Sequence, residues 1–486
     1  MEKKELIINW EQETDVLVAG FGGAGACAAI AAHDAGARVL LIEKAPFPGG
    51  NSACALGPMR LPGSVEEGVK YYRALSFGTV PDEGLIRTMA EALHSLPQKL
   101  TALGIRLKRT EEGVPMFPTL PGAKCMDHWT AGCGYDVFQI LARNVEARGI
   151  PVRYESRARK LVQDPFSGEI QGVIIESKGK EEAIRADRAV ILSTGGYEND
   201  PELQACYHFP GIRLYPYGTP YNTGDGVRMA AAAGAAPWHF VNIAFMGLAF
   251  KGPSDEHGVA FPFLRTRGGF IFVNKQGKRF MNDARRINFR KDPLALTAFD
   301  HEKACYPNLP AFLIFDENQR TKGPLYRLTG SKVGYASWQG LDPWSRDNSE
   351  EIKKGWILQG ETIEALAERA GIEADNLAET ITLYNRHCSD NTSDTFGRSP
   401  ETMAPIAQPP FYAAELCLAI VNTQGGPKHN HLAQTLDMEG NPIPRLYTPG
   451  ELGSFFGHLY QGGSNLPEAL AFGLIAGECA AKEKTR

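Results

Sequence analysis

The sequence predicts an α/β protein: a discontinuous domain on a parallel sheet, interrupted by an inserted α+β region. Three observations carry this. An apolar run at 15–20 stops at glycines, and an Ala-rich, helix-forming stretch and a second apolar run follow it directly. Strand, Gly-rich turn and Ala-rich helix then return at the far end of the chain, as though it re-enters the first domain.

The chain has 486 residues, 43% apolar and 22% charged, the composition of an ordered globular protein. That length corresponds to roughly three domain-sized units. Lys plus Arg is 51 against 56 Asp plus Glu, a net charge of −5. A general nucleic-acid binder needs a basic field, so small molecules are the expected partners, with no nucleic acid. Residues 1–10 lack a secretory apolar core. No stretch approaches the roughly 18 to 20 apolar residues that span a bilayer. A soluble, cytoplasmic protein is expected. The nine cysteines include no Cys-x-x-Cys pair and read as reduced thiols, with no metal centre.

Taken in order, 15–20 reads as a buried parallel strand, 24–37 as a helix and 38–42 as a second strand, one β-α-β unit. Helical signals dominate 61–149, where Asp82 can cap a helix over 85–103 and 136–148 has apolar residues at helical spacing. Segments 152–154, 160–163, 170–176 and 183–184 alternate like antiparallel strands, with a turn at 164–168, and 189–192 is a further buried strand. Beyond 238 the pattern is mixed, with strands at 269–274 and 311–315 and amphipathic helices at 362–369 and 375–387. The predicted organisation is therefore one domain from 1–237 and 409–486, carrying a helical insertion at about 61–149, and a second from 238–408.

Gly20, Gly22 and Gly25 stand in G-x-G-x-x-G spacing around Gly23 and Ala24, after a strand and at the start of a helix. The first glycine permits a tight turn, the second lets the backbone approach a pyrophosphate, and the third lets helix and strand pack closely. Glu43, followed by Lys44 at the end of the next strand, suits the ribose hydroxyls. This Rossmann-like fingerprint alone does not separate FAD from NAD. Gly49, Gly50, Asn51 and Ser52, then small residues to Gly57, could run beside a flavin ring, and Gly450 and Glu451 place a carboxylate for ribityl or pyrophosphate-side hydrogen bonds.

Residues 15–57, 193–197, Asn222 to Gly226, Arg279 to Asp283 and 449–479 resemble, in order and over nearly the whole chain, the flavoprotein superfamily of soluble fumarate reductases and 3-ketosteroid dehydrogenases. The resemblance implies a glutathione-reductase-type FAD domain with an inserted capping domain that closes over the substrate. It implies that Ala158, Thr194, Gly195, Gly196, Asp225, Ser464, Asn465 and Leu466 join the fingerprint residues in holding FAD. Members that bind FAD covalently use a His shortly after the Gly-Gly pair. Asn51, Ser52, Ala53 and Cys54 occupy that stretch here, so noncovalent FAD is expected. A second G-x-G-x-x-G is missing, which argues against a dedicated NADPH site and leaves the electron donor or acceptor unidentified.

The implied chemistry is hydride exchange between flavin N5 and a carbon–carbon bond beside a carbonyl, which needs a proton-transfer group and a carbonyl polariser. Tyr460, in Gly457-His458-Leu459-Tyr460-Gln461-Gly462, resembles the tyrosine that binds the ketone oxygen in ketosteroid dehydrogenases. A packed core tyrosine is the bland alternative. The helix beginning after Ser464 would favour negative charge at the flavin N1 and O2 edge. Fumarate reductases instead carry an Arg in that loop and a His before the preceding Thr-x-Gly-Gly turn, where this chain has Tyr460 and Asn422. The carboxylate clamp is missing, which points to a ketone or another neutral activating group. By resemblance the proton-transfer group lies three or four residues beyond Asp283. Arg286 is the candidate and Arg285 and Arg290 are its rivals, although basic clusters are also common on solvated faces.

Three function readings follow: an ene-reductase or ketosteroid-type dehydrogenase, a fumarate-reductase-like enoate reductase, and a non-catalytic flavin electron relay. Lys428-His429-Asn430-His431 reads as a polar turn, and Asp127-His128-Trp129 and Tyr215-Pro216-Tyr217 as possible pocket walls.

Overall fold

The computed structural model describes residues 8–110, 114–244, 246–251, 260–262, 267–284, 292–326, 331–340 and 344–486. Strand β1 (Gln12–Ala19) leads into helix α1 (Gly23–Asp34) and strand β2 (Val39–Ile42). β1 pairs in parallel with β2 on one side and with Lys180–Leu192 on the other. The apolar run 16–19 in its second half has a direct cause, because both faces are covered there. Val16 and Val18 pack with α1 and the C-terminal helix, while Leu17 and Ala19 face a separate core.

The sheet runs Gln434–Leu436, Pro442–Tyr447, Lys180–Leu192, β1, β2, Val152–Arg153. Ser156–Gln163 and Ile170–Ser177 form the antiparallel meander expected, with Asp164 accepting from the amides of Phe166 and Ser167 at its turn. Two expectations are corrected. Val152–Arg153 pairs in parallel with β2, not with the meander, and 183–184 and 189–192 are one strand. That strand is antiparallel to Ile170–Ser177 along its first half and parallel to β1 over most of its length, so its alternation changes midway.

The C-terminal helix, Asn465–Lys482, lies across α1 at unusually close range. A Cβ at Gly473 would collide with the Ala24 carbonyl, and one at Gly477 would collide with the Ala28 carbonyl and lie 2.9 Å from Ala31 Cβ. Alanines on α1 and glycines four residues apart on its partner therefore set the spacing. The 61–149 insertion holds helices Val65–Ser76, Glu83–Ala102 and Gly134–Ala147. Asp82 caps the second of these, accepting from Gly84 and Leu85 amides at 2.8 and 3.1 Å. Strands Met59–Pro62, Met126–Thr130 and Lys108–Thr110 add a small antiparallel sheet that sequence periodicity did not reveal.

A second sheet is built around Phe411–Ile420, which pairs with Met246–Lys251, Ala311–Asp316, Leu358–Gly360 and Tyr215–Pro216. Helices Ile363–Ala370 and Ala374–Asp390 cover one of its faces through Leu366, Leu377 and Ile381. Strands from sequence segments on both sides of 238–408 thus join this sheet. A buried ionic quartet seals its rim: Arg279 contacts Asp283 and, at 2.6 Å, Asp394, and Arg398 donates to the carbonyls of Phe270 and Gly268 at 2.6 and 2.7 Å. Two cations and two anions balance, which burial requires. Arg285, Arg286 and Arg290, just beyond this quartet in sequence, lie outside the described residues.

Gly477→Val forces a branched side chain into the α1 backbone and is expected to destabilise the protein by about 1 to 3 kcal/mol, read as a lowered thermal unfolding midpoint.

Candidate active site

Where β1, β2 and Lys180–Leu192 end together, the turn into α1 forms the floor of a cleft. Gly20 has φ +102°, and a Cβ there would lie 2.8 Å from the Ser193 carbonyl carbon; a Cβ at Gly25 would strike the Gly20 carbonyl. Gly22 differs. Its φ is an ordinary −87° and a Cβ would come no closer than 3.8 Å to any protein atom, Gly49 O being the nearest. Among the described residues no packing requires that glycine, so its missing side chain leaves room beside the cleft. Helix α1 has no side-chain cap at Gly22, and only the Gly23 amide is served locally, by Ser52 Oγ at 2.9 Å. An uncapped helix start with backbone exposed beside it suits a pyrophosphate.

Glu43 lies at the cleft wall with its carboxyl accepting from Phe21 N at 2.7 Å and Ala45 N at 2.8 Å, and burial raises its pKa against those bonds. Lys44 donates to Thr223 Oγ1 at 2.5 Å and Asp225 Oδ2 at 2.8 Å, and Arg157 donates to Asp225 Oδ1 at 2.6 Å. Burial works against the Asp225 carboxylate, but Arg157 and Lys44 outweigh it and hold it below its usual range. Asn51 and Asn222 donate to the buried carboxyl of Glu198 at 2.6 and 2.8 Å, and Asn51 also reaches Glu451 at 3.1 Å. Thr194 Oγ1, on the cleft, is buried with no partner among the described residues, a hydroxyl that a bound polar molecule would satisfy.

Of the cofactor residues expected from sequence, Gly20, Gly22, Gly23, Ala24, Glu43, Lys44, Gly50, Asn51, Ser52, Ala158, Thr194, Gly195, Asp225 and Glu451 line this one cleft. Gly25, Gly49, Gly196 and Gly450 are not among its lining residues. The reading missed Phe47, Ser156, Thr219, Tyr221 and Ala469, which also line it. Phe47 stands four residues after Glu43 and packs edge-on to Tyr221 at 5.8 Å, a pairing that only the fold brings together.

Ser464, Asn465 and Leu466 form the start of the C-terminal helix, outside the cleft lining. Tyr460 is there too, packed edge-on to Phe456 at 5.3 Å. Its hydroxyl oxygen accepts from the amides of Gly463 at 3.2 Å and Asn465 at 3.5 Å, and burial pushes the phenol up to about 12. Those amides serve the tyrosine, where the sequence reading assigned the helix start to the flavin edge. Next to it runs a chain of carboxamides. Asn242 donates to Gln424 at 2.5 Å, Gln424 to Asn465 at 2.9 Å, and Asn465 to Asn422 at 2.8 Å. Asn242, Gln424 and Asn422 are buried.

The remaining candidates make these contacts. Tyr217 shares a 2.7 Å hydroxyl contact with Tyr326, and the Gly334 amide donates to Cys54 O at 2.8 Å, which docks 331–340 on the small helix Gly50–Cys54. Asp127 pairs with Arg109, and His429 is buried edge-on to Trp238.

The chain matches the FAD binding domain family over residues 15–466. It belongs to that family, and FAD is its cofactor. It is 29% identical to a probable fumarate reductase of Shewanella frigidimarina, over 99% of this chain and 77% of the relative. It is equally identical to a vinyl phenol reductase of Lactiplantibacillus plantarum, over 93% of this chain and 92% of the relative. The fold is shared with a 3-ketosteroid delta1-dehydrogenase from Sterolibacterium denitrificans, at TM-score 0.78 and 22% identity over 97% and 99% of the two chains. The protein is an FAD-dependent oxidoreductase of this fumarate-reductase and ketosteroid-dehydrogenase type. No helix among the described residues is long and apolar enough to cross a membrane.

Two outcomes test the site. Gly22→Ala is expected to leave the unfolding midpoint of the FAD-free chain unchanged while weakening FAD binding about tenfold, or about 1.4 kcal/mol, by fluorescence titration. Glu468, at the start of the C-terminal helix, accepts from Phe455 N at 2.6 Å and Ser454 Oγ at 2.8 Å, yet burial raises it to about 8 from 4.5. A raised acid contributes stability that is complete below the unfolded pKa and lost as pH rises through the folded one. Unfolding midpoints of wild type should therefore fall between about pH 5 and pH 9, and Glu468→Gln should flatten that fall.

Proposed function

We propose that the protein exchanges hydrogen across a carbon–carbon bond next to a neutral carbonyl, and that it works in the direction of alkene reduction. FAD, when bound, supplies the hydride exchange at N5. Tyr460 holds the carbonyl: its oxygen is fixed by two helix-start amides, and a phenol raised to about 12 stays neutral while donating to a developing enolate. Arg286 delivers the proton to the α-carbon, with Arg285 and Arg290 as the neighbouring alternatives. A guanidinium is a better donor than base, which favours reduction. Residues 238–408 supply the substrate-covering unit.

The observation that carries this reading is the carboxamide chain Asn242, Gln424, Asn465 and Asn422 beside Tyr460. Its member Asn422 and the adjoining Tyr460 stand where resemblance to fumarate reductases would put a carboxylate-gripping His and Arg. A dicarboxylate entering there would lose hydration without gaining a cation from these residues, whereas a ketone gives up little. The relatives named above, a fumarate reductase, a vinyl phenol reductase and a ketosteroid dehydrogenase, support the bond class. The nine cysteines form no disulfide, which suits a reducing compartment such as the cytoplasm.

Photoreduced holoprotein mixed anaerobically with a panel of enones, enoates and steroids should be reoxidised by a neutral α,β-unsaturated ketone and not by fumarate. Tyr460→Phe should lower kcat/KM for that ketone about a hundredfold with FAD content unchanged. Turnover of fumarate, or a harmless Tyr460→Phe, would overturn the proposal.

A further inference from the structure

Glu198 is fully buried behind the cleft wall to which Glu451 contributes. The same two carboxamides serve both acids. Asn51 Nδ2 donates to Glu198 Oε1 at 2.6 Å and Glu451 Oε1 at 3.1 Å, and Asn222 Nδ2 donates to Glu198 Oε1 at 2.8 Å and Glu451 Oε2 at 3.5 Å. The orientation of Asn51 is set from its other end, where Oδ1 accepts from Thr219 N at 2.9 Å. Thr423 Oγ1 donates to Glu198 Oε2 at 3.1 Å. Sharing Asn51 and Asn222 as donors holds the two carboxyls side by side. Two buried carboxylates held this close repel each other when both are ionised, and that repulsion is relieved by one proton between them.

The surroundings favour keeping it. A Cβ at residue 196 would lie 2.5 Å from Glu198 Oε2 and 3.0 Å from Glu451 Oε1, so the glycine there is what lets the acids meet. The groups facing them are Asn51, Asn222, Asn422 and Thr423, none of them cationic, with the Tyr197 phenol alongside. Lys44 and Arg157, farther along the cleft, are committed to Asp225. Burial raises both carboxyls, and Glu198 raises Glu451 further.

We propose that Glu198 and Glu451 hold one proton between them, so that Glu451 presents a neutral carboxyl to FAD and Glu198 is the positioning residue that keeps it neutral. A neutral carboxyl donates as well as accepts, and it removes one negative charge from a cleft that must take a diphosphate. This goes beyond the proposed reaction, and its test uses no substrate. Infrared spectra of the FAD-loaded protein should show a protonated-carboxyl carbonyl band in wild type that is missing from both Glu198→Gln and Glu451→Gln. FAD affinity of wild type should fall as pH rises above the ordinary carboxyl range, because a raised acid loses its proton only there. Glu451→Gln, a permanent neutral donor, should bind FAD within a few-fold of wild type with a flat pH profile. Identical carbonyl spectra in wild type and Glu451→Gln would overturn the proposal. So would a tenfold loss of FAD affinity in Glu451→Gln at every pH, which would mean that residue 451 works as a carboxylate. Should Glu198→Gln fail to fold, the Glu451→Gln comparison still decides.

Discussion

Backbone touching backbone at the turn between β1 and α1 is the constraint on which the rest of this molecule depends. Gly20 lies against Ser193, Gly25 against the Gly20 carbonyl, and Gly473 and Gly477 of the C-terminal helix against α1. Segments from the start, middle and end of the chain meet there only because no side chain intervenes. Overpacking such a contact costs about 1 to 3 kcal/mol, so each of these positions is restricted by sterics alone. Gly22 is the exception that marks the cleft, since none of the described residues occupies the space it leaves.

From that turn the electrostatics grade from charged to neutral. At one end of the cleft Lys44, Arg157 and Asp225 form a closed ionic group. Glu198 and Glu451 follow, bridged by carboxamides. Beyond them Asn422, Asn465, Gln424 and Asn242 continue as an uncharged chain to the Tyr460 loop. An unpaired buried charge costs several kcal/mol, while a neutral hydrogen bond contributes about 1 kcal/mol. Among the described residues, this chain of carboxamides brings no cation to an anion placed beside it.

The β-α-β unit was legible in sequence because its signals are local: glycine spacing, an apolar run and an acid at the next strand end all lie within 15–43. The helices at Glu83–Ala102 and Ala374–Asp390 were legible for the same reason, through a cap and an apolar stripe. The small sheet of Met59–Pro62 with Met126–Thr130 was not, because its pairing joins segments far apart. Nor was the meeting of Glu198 with Glu451, which depends on Gly196 and on Asn51 reaching both. For Tyr460 the residue type was readable, but the direction of its hydroxyl depends on where the C-terminal helix begins.

The most direct measurement of the site's neutrality is a titration of the oxidised holoprotein followed in the visible flavin band. A neutral cyclic enone should perturb that band saturably and independently of ionic strength, and a dicarboxylate should leave it unchanged. A saturable shift with the dicarboxylate that weakens as salt is added would contradict it, because it would reveal a cationic grip beside the flavin.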